Sequence, residues 1–402
     1  MISSRIEDYL SRFVNLEKTG EFKYARNLTR MQNLLELLGS PEKSLNIRLI
    51  AGSKGKTSTS IFLSRLLQSA GRDIGLYTSP HLISWNERIQ INGVPVSDEA
   101  VESLIPELDA AINRCVPEMR PTYFEISTAL AFLLFQRRGV KEVVAEVGLG
   151  GKYDATNACD PILSVITPIS LEHTAVLGSS LCGIAEEKSG VWRQNAPMII
   201  GRQCEEVFSF YSDKFAEKKA QVYFVQTEAL CEAVDGLTPV SGEHLSGPWG
   251  TLSLTRKQLI SRTQYENLLT ALYAAWKDPL YDGYSPQEFL SEMRAKIDGI
   301  EPVPGRLQVL NDDPVILTDG SHNNASAKVI ADAIQSCWKP ESVSVILAMM
   351  RDKDPAAYMQ ELKVLPIRRL IVTSTHHYRS FTAEELLLRL DQELRPEAAD
   401  DL

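Results

Sequence analysis

A short apolar run, Asn46-Ile47-Arg48-Leu49-Ile50-Ala51, passes directly into Gly52-Ser53-Lys54-Gly55-Lys56-Thr57-Ser58 and then into a helical pattern over residues 56–70. An apolar run of this length bounded by glycine reads as a buried strand, so the order is strand, glycine loop, helix. In such a loop successive backbone N–H groups and the helix N-terminus can cradle phosphate oxygens. The glycines let the backbone approach closely, Lys56 can neutralise β- and γ-phosphates, and the Thr57 or Ser58 hydroxyl can face a phosphate or a magnesium ion. The spacing is shorter than the usual Gly-x-x-x-x-Gly-Lys-[Ser/Thr], because Ile50 stands where the first glycine would be. Taken alone, the heptad also fits a plain glycine turn carrying solvated lysines.

The surrounding pattern extends the strand–helix order. Helices are expected around 4–14 and up to Gly39, then at 97–113 and 124–138, with strands at 73–77, 142–147 and 162–167. Continuous Val and Ile runs separated by helices predict an α/β fold with a mostly parallel sheet covered by helices on both faces. Residues 220–262 are less regular, with polar and Gly-containing segments that could be short strands, and helices return at 264–277 and 285–297. The punctuation Asp298-Gly299-Ile300-Glu301-Pro302-Val303-Pro304-Gly305 breaks helix periodicity and suits a boundary. Residues 1–298 are therefore expected to form a large P-loop-type domain. Residues 299–402 are expected to form a smaller α/β, Rossmann-like domain, with strands at 315–318, 343–348 and 369–373 and helices near 324–337, 355–364 and 382–394. The acidic end from Glu397 to Asp401 is expected to fray.

Composition narrows the function. A formal net charge of −10 disfavours nucleic acid or an anionic membrane as partner, because such binding rests on clustered Lys and Arg. An anionic small substrate would need local cations or magnesium. With 44% hydrophobic and 23% charged residues the chain is ordinary for a globular protein, and no uninterrupted apolar stretch of about 18 residues occurs. The first residues mix both charge signs and lack the basic-then-apolar order of a secretory signal, so a cytoplasmic location is expected. Six cysteines lie scattered without metal-ligand spacing, and reduced thiols are expected.

Three further segments share a character: Tyr77-Thr78-Ser79-Pro80-His81, Ala145-Glu146-Val147-Gly148 and Leu171-Glu172-His173-Thr174. Each lies just past the C-terminal end of an expected strand, the edge at which open α/β sheets bind ligands. A hydroxyl, a carboxylate and an imidazole could converge there on a metal, and oxygen ligands suit Mg²⁺. Each has a plainer reading: Ser79 as a turn cap, Glu146 as a salt-bridged strand end, His173 as a structural histidine.

Together these residues resemble the folylpolyglutamate synthase and dihydrofolate synthase family of the Mur ligase superfamily. The resemblance rests on the loop 51–58, on Gly75–Leu82 with Asn86-Glu87-Arg88-Ile89, and on Glu146–Gly151 with Asp154-Ala155-Thr156-Asn157. It continues through Glu187-Lys188-Ser189-Gly190, Pro304-Gly305-Arg306-Leu307, Asp319-Gly320-Ser321-His322-Asn323 and Asp352-Lys353-Asp354. It implies ATP and Mg²⁺ as cofactors, with Ser79, Glu146, His173 and Lys188 as magnesium ligands, Lys188 in carbamylated form. It further implies Gly52, Gly55, Lys56, Thr57 and Ser58 around the phosphates. Asn267, Arg306, Asp319 and His322 become nucleotide contacts, the last three from the second domain, which would close over a hydrolysable intermediate. Lys56, Lys188 and His173 become the catalytic group. The plainer readings are a solvated Lys188, a buried packing Asn267, and a His322 that caps the helix after it.

The implied reaction adds L-glutamate to a folate or dihydropteroate carboxylate through an acyl phosphate, by a monomer. The pattern departs from the family in places. Ser53-Lys54 stand for Thr-Asn, Thr57-Ser58 for Gly-Ser, Glu172 for Asp, and Ser261-Arg262-Thr263-Gln264 for Gly-x-His-Gln. The family's closing strand has no counterpart, so a second domain shortened at its end is expected. Alternatives are a Mur-type amide ligase acting on a non-folate carboxylate, a non-catalytic ATP-binding relative, and a simple P-loop kinase or ATPase.

Overall fold

In the computed structural model, which describes residues 5–15, 27–68, 72–216, 220–233, 243–254, 259–375, 379–390 and 397–398, the strand expected at Asn46–Ala51 (β1) lies inside an eight-stranded sheet. The other strands of that sheet are β2 (Ile74–Tyr77), β3 (Ile89–Ile91), β4 (Val94–Pro95), β5 (Glu142–Glu146), β6 (Leu163–Ile166), β7 (Met198–Ile200) and β8 (Val222–Phe224). Their spatial order is β4-β3-β2-β5-β1-β6-β7-β8. From β2 to β8 every pairing is parallel, and β3 and β4 add an antiparallel edge. Every residue of β2, β5, β6 and β7 is buried, as expected of a parallel sheet covered by helices on both faces. The helix Tyr123–Arg137 is apolar nearly all round and is correspondingly buried on almost every side.

Several expected boundaries move. The helix expected at 97–113 is two helices, Asp98–Glu102 and Ile105–Ile112. Ser97 caps the first, and Pro106 sits in the opening turn of the second, where a missing N–H goes unnoticed. The first helix spans only Arg5–Leu10 and the last Ala383–Leu387, with residues 391–396 outside the described set. Unannounced by any period are β7 and the helices Leu181–Lys188 and Glu205–Ala216, whereas the irregular stretch 220–262 does hold short strands, Val222–Phe224, Leu230–Ala233, Glu243–Gly247 and Gly250–Leu254 among them. At the acidic end, Glu397 and Ala398 do not fray but pair with Ile371 and Val372.

The chain divides into two compact units. The first comprises Met1–Glu232, His244–Leu254 and Tyr265–Ile300, and contains the large sheet with its core. Its lower edge is locked by a buried ion network. Arg48 on β1, 1% exposed, donates from Nε and Nη2 to both oxygens of Asp278 at 2.7 Å, and from Nη1 to Glu142 on β5. Asp278 follows the helix Arg262–Trp276, so this clamp fixes that helix along the sheet.

The second unit comprises Ala233–Glu243, Thr255–Gln264 and Glu301–Leu402. It holds an antiparallel pair, Gln308–Asp312 with Val315–Thr318, and a parallel set of Val343–Leu347, Ile367–Val372 and Glu397–Ala398. Helices Asn324–Cys337 and Pro355–Leu362 supply much of its core, through Ala327, Ile330, Tyr358 and Met359.

Candidate active site

The loop after β1 is shaped by its two glycines. Gly52 and Gly55 both have positive φ, 144° and 82°, and neither has room for a side chain. A Cβ on Gly52 would overlap the Thr167 hydroxyl, and one on Gly55 would overlap the Asn267 amide. Gly55 is the N-cap of the helix Lys56–Leu67 and brings no side-chain cap, so the first-turn amides face the loop. Lys56 folds back and donates from Nζ to the Gly52 carbonyl at 3.1 Å. Ser58 is buried in the same first turn.

Glu146, at the end of the adjacent β5 and 2% exposed, links this loop to the next. Its Oε1 accepts from the Thr57 hydroxyl at 2.9 Å and its Oε2 from the Ser79 N–H at 3.3 Å. The structure thus brings Thr57, Ser79 and Glu146 together at the C-terminal edge of β1, β2 and β5. On the other side of β1, Lys188 ends the helix Leu181–Lys188 and is 1% exposed. It donates to the Gly52 carbonyl at 2.7 Å and to Glu172 Oε1 at 2.9 Å. The solvated-lysine alternative is therefore excluded. Burial, reinforced by the charge of Lys56, pulls the Lys188 amine down to about 8 even though Glu172 opposes the shift. Burial works against ionisation of Glu172, but Lys188, Lys56 and His173 outweigh it and hold that carboxyl below its usual range.

His173 is exposed, with a left-handed backbone at φ 45°, and begins the short helix Thr174–Leu177. Non-glycine residues held in this region cluster at functional sites. Asp154 holds the loop after β5: it accepts from Leu149 N at 2.9 Å and from the Thr156 hydroxyl at 2.6 Å. Gly151 and Gly190 give close backbone contacts with Lys188 and Lys152, which seat the lysine-bearing helix end against that loop.

Three candidates belong to the second unit. Asp319 accepts from Leu307 N and from Ser321 N, both at 2.7 Å, and so ties the turn carrying Arg306 to the one carrying His322. Arg306 packs its guanidinium over Gly320, where a Cβ would crowd it. His322 is exposed and does not cap the following helix; Asn323 does, accepting from Ser326 N.

These donors suit magnesium. Among the described residues no group of three or more His, Cys, Asp or Glu could hold a metal. Mg²⁺ takes one or two carboxylates and completes its shell with water and substrate phosphate oxygens, a set that Glu146, with the Thr57 hydroxyl beside it at the glycine loop, fits. Spacing gave no sign of the Glu172–Lys188 pair, of the segment Thr167–Ser170 that backs the loop, or of Gln203 behind that segment. These contacts join residues far apart in sequence, and only the sheet order brings them together.

The chain matches the family model of the Mur ligase middle domain over residues 50–275 and that of the Mur ligase, glutamate ligase domain over residues 305–401. A dihydrofolate synthase/folylpolyglutamate synthase of Bacillus subtilis is 31% identical over 351 residues, covering 86% of this chain and 80% of that one. The Escherichia coli protein of the same description is 30% identical over 365 residues, covering 90% and 81%. Among solved structures, Mycobacterium tuberculosis folylpolyglutamate synthase complexed with ADP and AMPPCP superposes with a TM-score of 0.82 at 28% identity, over 98% of this chain and 88% of that one. E. coli FolC in complex with DHPP and ADP gives 0.80 at 28% identity, over 99% and 89%. No described helix is long and apolar enough to cross a membrane.

Proposed function

The chain belongs to the Mur ligase family, within its folylpolyglutamate and dihydrofolate synthase branch, and on that premise we propose how its residues carry out an ATP-dependent, ADP-forming ligation of L-glutamate to a folate or dihydropteroate carboxylate. The substrate carboxylate oxygen attacks the γ-phosphorus of ATP, the bond to the β-phosphate oxygen breaks, and ADP leaves. The glutamate amine then attacks the acyl carbon of the acyl phosphate, inorganic phosphate departs, and the amine gives up a proton as the amide forms. Phosphoryl transfer of this kind depends on positioning and charge stabilisation far more than on covalent help from the protein.

Gly52, Gly55, Thr57 and Ser58 shape the phosphate cradle, and Lys56 offsets the charge that builds on the β- and γ-phosphates. Asn267, against Gly55, closes one side of the cradle. Arg306, Asp319 and His322 are assigned to the nucleotide from the second unit. Ser79, Glu146, His173 and Lys188, the last as its carbamate, would hold Mg²⁺, which when bound supplies positive charge beside the phosphates. The buried Lys188 amine, with its lowered proton affinity, suits reaction with CO₂, since only a neutral amine forms a carbamate. Catalytic roles fall to Lys56, Lys188 and His173. The protein is assigned to the cytoplasm as a monomer.

The observation that carries this reading is the interlock of the Gly52–Ser58 loop with Glu146 through Thr57, at the ligand-binding edge of a parallel sheet. The test is ADP release from Mg-ATP and L-glutamate with dihydropteroate, with tetrahydrofolate, or with no acceptor. Release that requires both glutamate and a pterin supports the reading and separates the synthase activity from polyglutamylation. Release with neither pterin would move the assignment to another carboxylate.

A further inference from the structure

In the phosphate loop Ile50 stands where the usual first glycine would be. The loop's support comes from the segment after β6. Ser53 N and Lys54 N both donate to the Pro168 carbonyl, at 3.0 and 3.1 Å, and the Ser53 hydroxyl donates to the Ser170 carbonyl at 3.0 Å. Thr167 N donates to the Ala51 carbonyl at 2.8 Å, and the Thr167 side chain fills the space against Gly52. Residues 167–170 are thus the wall on which the loop rests. The same segment continues into Glu172 and His173.

One side chain holds that wall from behind. Gln203, just past β7 and 9% exposed, accepts from Ile169 N at 2.9 Å through Oε1. Its Nε2 donates to the Thr167 carbonyl at 3.3 Å and to the Gly201 carbonyl at 3.1 Å. Its own backbone N–H donates to Gln226 Oε1 at 2.7 Å, which anchors the clamp to the end of β8. Both ends of one amide are used, and both bonds to the wall are with backbone groups that have little access to water.

We infer that Gln203 is a positioning residue for the nucleotide: it fixes the Thr167–Ser170 wall, and through it the orientation of the Ser53 and Lys54 peptides in the phosphate loop. Gln203 touches no reacting group and acts only through this relay. The inference rests on the nucleotide reading of that loop and adds a residue that no phosphate-loop pattern contains. An apolar side chain of similar size keeps the packing but takes the Gln203 amide away from the buried Ile169 N–H and Thr167 carbonyl, a cost that the wall relieves by shifting against the loop it carries. The effect should fall on the nucleotide and spare the acceptor.

The experiment compares the full chain with its Gln203→Leu and Gln226→Met variants, measuring ADP binding with magnesium by calorimetry, KM for ATP and for the pterin acceptor, and thermal unfolding. Gln203→Leu is expected to weaken ADP binding about tenfold or more, corresponding to about 1.4 kcal/mol, while acceptor KM stays within about twofold. Gln226→Met should shift ADP affinity in the same direction by less, and it serves if Gln203→Leu does not fold. Unchanged ADP affinity in the variants, or equal losses for ADP and acceptor that track a lowered melting temperature, would overturn the inference. An unmodified chain that binds no ADP would remove the nucleotide reading and the inference together.

Discussion

Glu142 and Glu146 stand at the two ends of strand β5, both almost wholly buried, and differ in what meets them. Glu142 receives the Arg48 guanidinium, the Asn46 amide at 2.9 Å and Arg72 at 3.4 Å. Burial pushes its carboxyl up, but Arg48 and its other partners more than reverse this and hold the carboxyl below the usual range. The donors that meet Glu146 include a hydroxyl and a backbone N–H, both from loops assigned to phosphate and metal. Ion pairs of the first kind tie β1, β5 and the helix Arg262–Trp276 into one body. On the proposed reading, a carboxylate that takes a hydroxyl and a backbone N–H at the ligand-binding edge is suited to meet a cation brought by the substrate. On that reading the sheet separates its labours by end: bracing at one edge, chemistry at the other.

The sharpest way to break that division is Lys56→Ala at the chemical end. Turnover is expected to fall by about a hundred- to a thousandfold, by analogy with other electrostatic groups at transition states, with the melting temperature unchanged. A variant that keeps near-normal turnover would remove Lys56 from the phosphate site. At the bracing end the outcome should invert. Asp278→Ala leaves Arg48 buried beside a lost partner and is expected to cost about 3–5 kcal/mol of stability, read by denaturant unfolding, while turnover per folded molecule stays close to normal. A loss of turnover without a loss of stability would show that the lower edge also serves the reaction.

Glu146→Gln tests the other carboxylate. Losing even an outer-shell partner of a metal costs about 10–100-fold in affinity, so the magnesium needed for half-maximal activity should rise by about tenfold or more. An identical magnesium titration would take Glu146 out of the metal site. The smallest effect is in pH. Because the folded carboxyl of Glu142 titrates below its unfolded value, its contribution to stability is present above the usual carboxylate range and is lost as pH falls through the lowered value. Unfolding measured from neutral to acid pH should show this decline in the parent and a flatter profile in Glu142→Gln. Parallel profiles would mean that Glu142 contributes no pH-dependent stability.

Much of the large unit could be read from the chain. Strands β1 and β5, the glycine loop and the helix after it declare themselves through apolar runs, glycine positions and length. Where reading failed, the signal was physically weak. Met198–Ile200 is too short to show a period, and the split at Ser103–Leu104 interrupts an otherwise helical pattern. The candidate site divides in the same way. Lys56, Ser79, Glu146 and His173 sit just past the ends of recognisable strands or loops, so position alone marked them. Only the Glu187-Lys188-Ser189-Gly190 motif set Lys188 apart from a solvated lysine, and no local pattern indicates that Glu172 is its partner. His322 reads as a helix cap until Asn323 is seen to hold that place.

The sequence by itself determined the order of strands and helices, the glycines that make a phosphate cradle, and the family to which the chain belongs, because each depends on local backbone chemistry or on motifs in linear order. Only the tertiary structure decided that β5 lies beside β1 and β6 on its other side. That arrangement delivers Glu146 to Thr57, Lys188 to the Gly52 carbonyl, and Gln203 to the wall behind the loop. The physical reason is that these are contacts between neighbouring strand ends, and strand adjacency in a parallel sheet is set by how helices pack across its faces, which no single segment of the chain encodes.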